Sequence, residues 1–516
     1  MKKKYIFLAA MGFVVLPMVA QETYQDAKLI GNDLNGTARY VGMGGAMEAL
    51  GADISTMQSN PAGIGLFRRS QASLSGGLVM QADADTHQYG ISIKGEGTNA
   101  SFDQIGFVWT RQTGQNSFLN VGFNYHKSRN FDQIMMAAGK LDNASLGKLT
   151  SMKYNTPGMS ADAWSGVDAT YKDMLETVDE NGNKVLPFYN GSQYMFGQYQ
   201  KGYIGEYDFN VSGNIHDRVY LGLTFGLHDV NYRSNKYYTE DLDNGIVSEN
   251  WEQLKIDGTG FDVKAGVIFR PVETSPFRIG LYVNTPVFYE LTQRNAFDAS
   301  ISDNGVSDAG NYADYDFKVY TPWKFGVSIG HTINNVAALG VTYEYSKYSA
   351  IDNRINDGGY YDGWTDSYYE ESSSDENMNY DTELNLNGVH TLKLGAEIKP
   401  IPEFAVRIGY NYVSPVFKDN AYRDVSLASP GVGYATSADY TNWKATNRFT
   451  LGIGYNYKNF FADVAYQYCQ TNGVFHPFMD YYQNEDFSPS EYDNIAEGTK
   501  VSFKRNQLLF TLGYRF

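Results

Sequence analysis

Several short motifs in this chain match the residue types of known chemistries, and each demands a particular context. Gly326-Val327-Ser328-Ile329-Gly330 has the spacing of a nucleophile elbow, whose serine attacks a carbonyl carbon. That chemistry needs a strand–turn–helix, whereas Ser328 sits in an alternating stretch that runs into a turn at His331–Asn335. Asp179-Glu180-Asn181-Gly182-Asn183-Lys184 opens like a calcium loop, but Lys184 stands where glycine is required and Asn190 replaces the final glutamate. It reads as an exposed turn. Gly42-Met43-Gly44-Gly45 lacks the preceding strand and βαβ surroundings of a dinucleotide site. The seven histidines are scattered, with no C-x-x-C-H for covalent haem attachment. The single cysteine, Cys469, excludes a disulfide framework and a Cys-based zinc site, and reads as a small residue on a strand face. No catalytic residue, cofactor site or metal ligand is assigned, and no enzyme is expected. Arg407 and Arg448 are the side chains suited to pairing with a ligand's carboxylate headgroup. The competing reading is that they neutralise other interior charges.

The elements that hold these residues are strands. From about residue 70 the dominant pattern has period two, which gives a strand two different faces. Tyr203, Tyr207, Phe209 and Val211 share one face, against Glu206, Asp208, Asn210 and Ser212. Asp316–Gly330 repeats the pattern, with Phe317, Val319, Trp323, Phe325, Val327 and Ile329 opposed to Asp316, Lys318, Lys324 and Ser328. The C-terminus shows it again, with Leu508, Phe510, Leu512, Tyr514 and Phe516 on one side. Segments of roughly 9–14 residues cross a bilayer obliquely as strands. Alternation predicts inward-facing polar side chains at Asp208, Asn210, Lys318, Lys324, Glu344, Arg407 and Arg448.

A soluble sandwich also alternates, so the connections decide. Short ones fall at Thr113–Asn116, Asn214–Asp217, Pro271–Pro276, His331–Asn335, Lys399–Glu403 and Lys458–Asn459. They take turns with long ones near 82–101, 128–202, 232–258, 291–314, 350–388, 417–445 and 472–504. Short turns on one side and long loops on the other is the asymmetry of outer-membrane barrels. Single-chain bacterial barrels have even strand numbers. His87–Lys94, the weakest candidate, is therefore assigned to the first external excursion. Fourteen strands, six short turns and seven long loops remain, with both chain ends on the short-turn, periplasmic side. The expected fold class is an all-β, 14-stranded antiparallel transmembrane β-barrel. Its longest loop holds an amphipathic helix over Ala161–Val178.

Composition agrees. The formal charge is −17, which argues against nucleic acid. After residue 20 no apolar run approaches the roughly 18 residues of a membrane helix. The 42 tyrosines and 52 glycines suit a barrel with aromatic girdles. Lys2, Lys3 and Lys4, the apolar Tyr5–Leu16 and Ala20 form a signal peptide over residues 1–20, leaving Gln21 as the mature start. The loop at 350–388 is acidic, from Asp352 through Asp381 to Glu383, against Arg354 alone. It reads as solvated external surface, with bridging of divalent cations or lipopolysaccharide as the alternative.

Residues 21–67 do not alternate. They contain Arg39-Tyr40-Val41-Gly42-Met43-Gly44-Gly45-Ala46, an acidic stretch ending at Asp53, and Asn60-Pro61-Ala62-Gly63 just before the first strand. A small-residue-rich segment ahead of a barrel suggests a plug; a periplasmic tail would favour more charge and less glycine. On these motifs the chain resembles the FadL family of outer-membrane transporters for long-chain fatty acids and aromatic hydrocarbons. The resemblance is local, and the strand count and C-terminal Phe516 agree by architecture alone. It implies a hatch at 21–67 inside a barrel at 68–516, with Gly42, Gly44, Gly45, Asn60, Pro61, Ala62 and Gly63 as gate positions. It further implies capture of a hydrophobic small molecule in a lumenal pocket and hatch-gated passage with lateral exit. A docking or shuttle barrel for surface-protein secretion is the alternative. Expected partners are outer-membrane lipid and lipopolysaccharide, the hydrophobic ligand, and the barrel-assembly machinery through Phe516. The loops are longer and more acidic than the family's pattern, so substrate identity does not carry over.

Overall fold

A computed structural model of the chain describes residues 22–84, 90–302, 307–334, 336–484 and 490–516. The expected signal peptide at 1–20 lies outside the described residues, as do 87–89 of the rejected strand; Gly90–Lys94 is not a strand. One continuous antiparallel sheet contains β1 (Gln71–Gln81), β2 (Thr98–Gly114), β3 (Ser117–Asn130), β4 (Gly191–Ile215), β5 (Val219–Leu242) and β6 (Val247–Phe269). Then come β7 (Arg278–Asn284 and Phe288–Ile301), β8 (Ser307–Tyr320 and Lys324–Ile333) and β9 (Ala337–Lys347). The circuit finishes with β10 (Gly388–Ile401), β11 (Phe404–Val413), β12 (Tyr440–Tyr457), β13 (Phe460–His476) and β14 (Thr499–Arg515). The sheet closes on itself: β1 pairs with β14, Gln71 opposite Arg515 and Gln81 opposite Arg505. With the two interrupted strands counted once each, this is a closed fourteen-stranded antiparallel barrel, as the alternation predicts. Closure leaves the fourteen-strand circuit without an edge strand among the described residues.

The two faces separate as expected along most strands. Phe209 and Val211 are 48% and 53% exposed, while Asp208 and Asn210 between them are 0% and 1% exposed. Ser328 lies inside β8 and donates to Gly280 O at 3.3 Å, so the G-x-S-x-G match has no elbow around it.

Two expectations are corrected. The long loops placed at 232–258 and 291–314 are mostly strand: β5 and β6 stay paired to Asp241 opposite Val247, and β7 and β8 to Ile301 opposite Ser307. Within the loop placed at 128–202, Gln133–Lys140 pairs with Gln193–Gln200 of β4. Along the β5–β6 extension polar and tyrosine residues occupy both faces, so the apolar alternation fades although the hydrogen-bond ladder continues. The second correction concerns β7 and β8, which break side by side at Thr285-Pro286-Val287 and Thr321-Pro322-Trp323. Proline cannot donate to a ladder. The threonines repair the gap: Thr285 Oγ1 accepts from Val263 N at 3.0 Å and Thr321 Oγ1 from Val287 N at 2.8 Å. The extra residue reverses which face each position takes. Phe317 and Val319 are therefore buried among interior residues, while Trp323, Phe325, Val327 and Ile329 face out. Lys318 falls on the opposite face from Phe317 and pairs with exposed Glu290 at 2.9 Å, not inward as alternation implied.

The long connections form a second layer. Between β3 and β4 lie α3 (Leu146–Asn155) and α4 (Gly166–Leu175). The helix expected over Ala161–Val178 is α4, preceded by a 3₁₀ turn at Ala161–Ala163. Ser165 and Asp168 form a capping box at its start. Tyr171, Leu149 and Val167 of this pair join Phe297, Phe475 and Phe478 in one core. The acidic connection after β9 is ordered as a hairpin (Asp352–Asp362 with Ser367–Ser374) and α5 (Glu376–Asn385).

Candidate functional site

Residues 22–67 carry two helices, α1 (Thr23–Ile30) and α2 (Ala38–Gly42), and 3₁₀ turns at Ile54–Gln58 and Pro61–Leu66. The segment is almost wholly buried. Its contacts run the length of the barrel. At one end Arg68, just after the segment, pairs with Asp217 in the short β4–β5 turn. At the other, Thr23 Oγ1 donates to Asp381 Oδ2 of α5 at 2.6 Å, and Tyr24 stacks on Phe417 with ring centroids 4.7 Å apart.

Glycine makes the close approaches possible. Gly44 and Gly45 have φ of +61° and +79°, where a side chain is strained. A Cβ on Gly44 would meet Leu394 O and the Tyr410 backbone; one on Gly42 would meet Gly452 Cα at 3.2 Å. Asn60 Oδ1 accepts from Ala62 N at 3.2 Å, capping the turn that Pro61 starts, and Asn60 Nδ2 donates to Glu48 O at 3.1 Å. Ala62 is fully buried, and Gly63 packs on Thr56.

Charges fix the segment to the strands. Glu48, fully buried, accepts from Lys393 Nζ at 2.9 Å and Thr342 Oγ1 at 2.7 Å. Arg39 Nε lies 3.1 Å from Glu397, which also pairs with Arg407, whose other arm pairs with Asp463. Arg407 is thus committed to two carboxylates and does not border the cavity described next.

That cavity, of about 290 Å³, lies between residues 22–59 of the N-terminal segment and the strands. Phe131, Tyr232, Leu254, Val389, Phe417 and Trp443 give it an apolar wall. At one side three guanidiniums converge on a single carboxylate. Asp33 Oδ1 is 3.0 Å from Arg505, 3.6 Å from Arg448 and 3.7 Å from Arg129. Burial alone would raise the Asp33 carboxyl, but the three cations outweigh it and hold it below the usual carboxylate range. The Nε atoms of Arg129, Arg448 and Arg505 are buried without a hydrogen-bond partner among the described residues. One carboxylate leaves this cluster with surplus positive charge and unused donors.

A second hollow, of about 310 Å³, opens at the double-proline break. Pro286, Phe288, Tyr320, Pro322, Trp323 and Phe325 line it, and Trp323 and Phe325 are half exposed on the outward face. Tyr345 borders both this crevice and the inner cavity.

No protein-family model matches the sequence, and no curated protein matches it. Solved structures do. A FadL homologue from Pseudomonas aeruginosa shares 11% identity over 94% of this chain and 99% of its own, with a TM-score of 0.50. The fold is of the FadL type. The toluene transporter TbuX of Ralstonia pickettii aligns over 94% of this chain and 99% of its own, at 12% identity and a TM-score of 0.48.

In this FadL-type barrel the positions expected as a gate divide: Gly42 and Gly44 lie against β10–β12, Asn60 and Pro61 against β5–β7, and Gly63 against Thr56, while Arg448 borders the cavity. Sequence reasoning missed Asp33, Arg129, Arg505 and Glu48. Nothing in a period-two pattern singles them out, because each meets its partners only through strand closure. The two Thr-Pro pairs were a legible signal of the break, since proline inside an alternating run marks a bulge or edge.

Proposed function

We propose that the protein transports hydrophobic small molecules carrying an anionic end across the outer membrane. Residues 1–20 are its signal peptide, 21–67 a hatch within the barrel lumen, and 68–516 the barrel, with short turns facing the periplasm. The belt of outward apolar residues, among them Phe209, Val211, Phe325 and Ile329, meets outer-membrane lipid. Lipopolysaccharide contacts the long loops, and Phe516 is the signal to the barrel-assembly machinery.

The observation that carries this reading is the cavity with an apolar wall at one side and three arginines around one carboxylate at the other. An apolar chain suits the wall, and a guanidinium fork suits a carboxylate. Asp33 belongs to the hatch, so an incoming carboxylate competes with it for Arg448 and its neighbours. Winning that competition loosens the hatch. The ligand then leaves sideways past Tyr345 through the double-proline break, which reaches the lipid-facing crevice. A wall interrupted there has fewer ladder hydrogen bonds to part.

Uptake of a labelled long-chain carboxylate into cells lacking the protein tests this. Restored uptake by the intact chain, and its loss with Asn60→Ala or Pro61→Gly at unchanged barrel abundance, is expected. Equal uptake with and without the protein, together with co-purifying exported cargo, would favour the docking-barrel alternative.

A further inference from the structure

Away from the cavity, four neighbouring strands bring six ionisable side chains together on the inner face: His126 of β3, Glu206 and Asp208 of β4, His228 of β5, and Asp262 and Lys264 of β6. All are buried. Register explains the grouping. His126 stands opposite Glu206, and Glu206 opposite His228, so one row across three strands reads imidazole, carboxylate, imidazole. One residue pair along, Asp208 and Asp262 both flank Gly226, where a Cβ would collide with Asp262 Oδ1.

The contacts are specific. Lys264 Nζ takes one oxygen from each carboxylate: Glu206 Oε1, Asp208 Oδ1 at 3.0 Å and Asp262 Oδ1 at 2.9 Å. The other Glu206 oxygen, Oε2, lies between the imidazoles, 3.4 Å from His126 Nε2 and 4.0 Å from His228 Nδ1. Of the other nitrogens, His126 Nδ1 is 3.3 Å from Asn124 Nδ2 and 3.5 Å from Asp208 Oδ2, and His228 Nε2 is 3.3 Å from Asp262 Oδ1. Among the described residues, His126 Nε2, both nitrogens of His228 and Asp208 Oδ2 have no hydrogen-bond partner. Buried polar atoms of this kind are rarely left so.

We propose that this cluster is a binding site for one divalent transition-metal ion of the zinc, cobalt or nickel class, with His126, Glu206 and Asp208 as ligands. Three observations converge. Ligands at about 2.0–2.2 Å around a tetrahedral ion stand about 3.4 Å apart; the Glu206–His126 pair already has that separation, and one donor atom each of His126, Glu206 and Asp208 lies within 4.8 Å of the other two. His126 Nε2 and Asp208 Oδ2 are the buried, unpartnered atoms that an ion between them would satisfy. Three carboxylates against one ammonium leave two negative charges with neutral imidazoles, and one divalent ion cancels them. Buried charge without that compensation is expensive. Imidazole with carboxylate selects borderline metals over magnesium or calcium. The ion joins β3 and β4 on the inner face.

The test uses the full chain without a polyhistidine tag, in detergent, stripped with chelator and then titrated with Zn²⁺ and Co²⁺, and in parallel refolded with each ion present. Elemental analysis should find one ion per chain in at least one preparation. Co²⁺ should give the visible bands of a nitrogen–oxygen site, and the melting temperature should rise with metal concentration. Glu206→Gln, Asp208→Asn and His126→Ala should each weaken binding by at least about 100-fold, beyond the roughly 10–100-fold effect of an outer-shell partner. His390→Ala, at an exposed histidine, should bind as the native chain does. Heat-modifiable electrophoretic mobility checks that each variant is folded. For any variant that does not fold, the native chain's stoichiometry and Co²⁺ spectrum decide. Absence of a stoichiometric ion in both native preparations, or Glu206→Gln binding as tightly as the native chain, would overturn the proposal.

Discussion

Asp33 Oδ1 lies 3.0 Å from Arg505 Nη2, joining the N-terminal segment to the strand that closes the barrel on β1. The same oxygen faces Arg448 and Arg129, so one carboxylate of the N-terminal segment occupies the place proposed for a ligand's headgroup. Removing its charge should free the arginines. Asp33→Asn is expected to tighten binding of a fluorescent long-chain carboxylate about tenfold, or roughly 1.4 kcal/mol. Weaker binding in a folded variant would show that Asp33 supports the ligand instead of competing with it.

Arg448 borders the cavity, whereas Arg407 is held by Glu397 and Asp463. Arg448→Gln should therefore lower affinity for an apolar carboxylate by about 1.5–3 kcal/mol, the range for hydrogen bonds to charged groups. Affinity for an uncharged aromatic ligand of similar size should not change. Competition binding with the two ligand types separates the outcomes.

At Gly340 on β9 an added Cβ would run into Ala46 O, backbone against side chain with no rotamer to relieve it. Gly340→Val should lift the Met43–Leu50 stretch from the wall while the outward face of β9 stays intact. Limited proteolysis is expected to cut the variant within residues 43–50 at least about tenfold faster than the native chain. An unchanged cleavage rate would mean that the segment does not depend on this contact.

Thr23 Oγ1 donates to Asp381, whose carboxyl is pushed up to about 6, chiefly by burial. Its ordinary value is about 3.9. A carboxyl raised in the folded state stabilises the contact below about pH 4, and that contribution is lost as pH rises through 6. Hydrogen exchange across α1 should therefore quicken between about pH 4 and 6, by at most about 100-fold after correction for the intrinsic rate. Asp381→Asn should flatten the profile; a native profile already flat would contradict the assignment.

The barrel was readable in advance because lipid on one face and polar side chains on the other enforce period two. Each of the six short connections read from the sequence separates strands of the closed circuit. Reading failed where that contrast ends. β5 and β6 continue past the apolar belt with Tyr237 opposite Trp251, and no apolar–polar rhythm reports it. Pro286 and Pro322 reverse the faces of β7 and β8, so a single parity could not hold across them and Lys318 was placed inward. The site is harder still. Asp33 and Arg505 lie at opposite ends of the chain, and His126, Glu206 and His228 become a row only once the register of β3, β4 and β5 is known. Such residues carry no local signature, because the barrel's closure and register bring them together.

A native mass spectrum of gently extracted protein, incubated with an excess of a long-chain carboxylate and then exchanged into fresh detergent, tests the central claim most directly. One retained ligand per chain is expected, with retention lost in an Arg448→Gln/Arg505→Gln double variant that keeps its heat-modifiable fold. A native chain that holds no ligand under these conditions, or a double variant that retains it fully, would contradict the account.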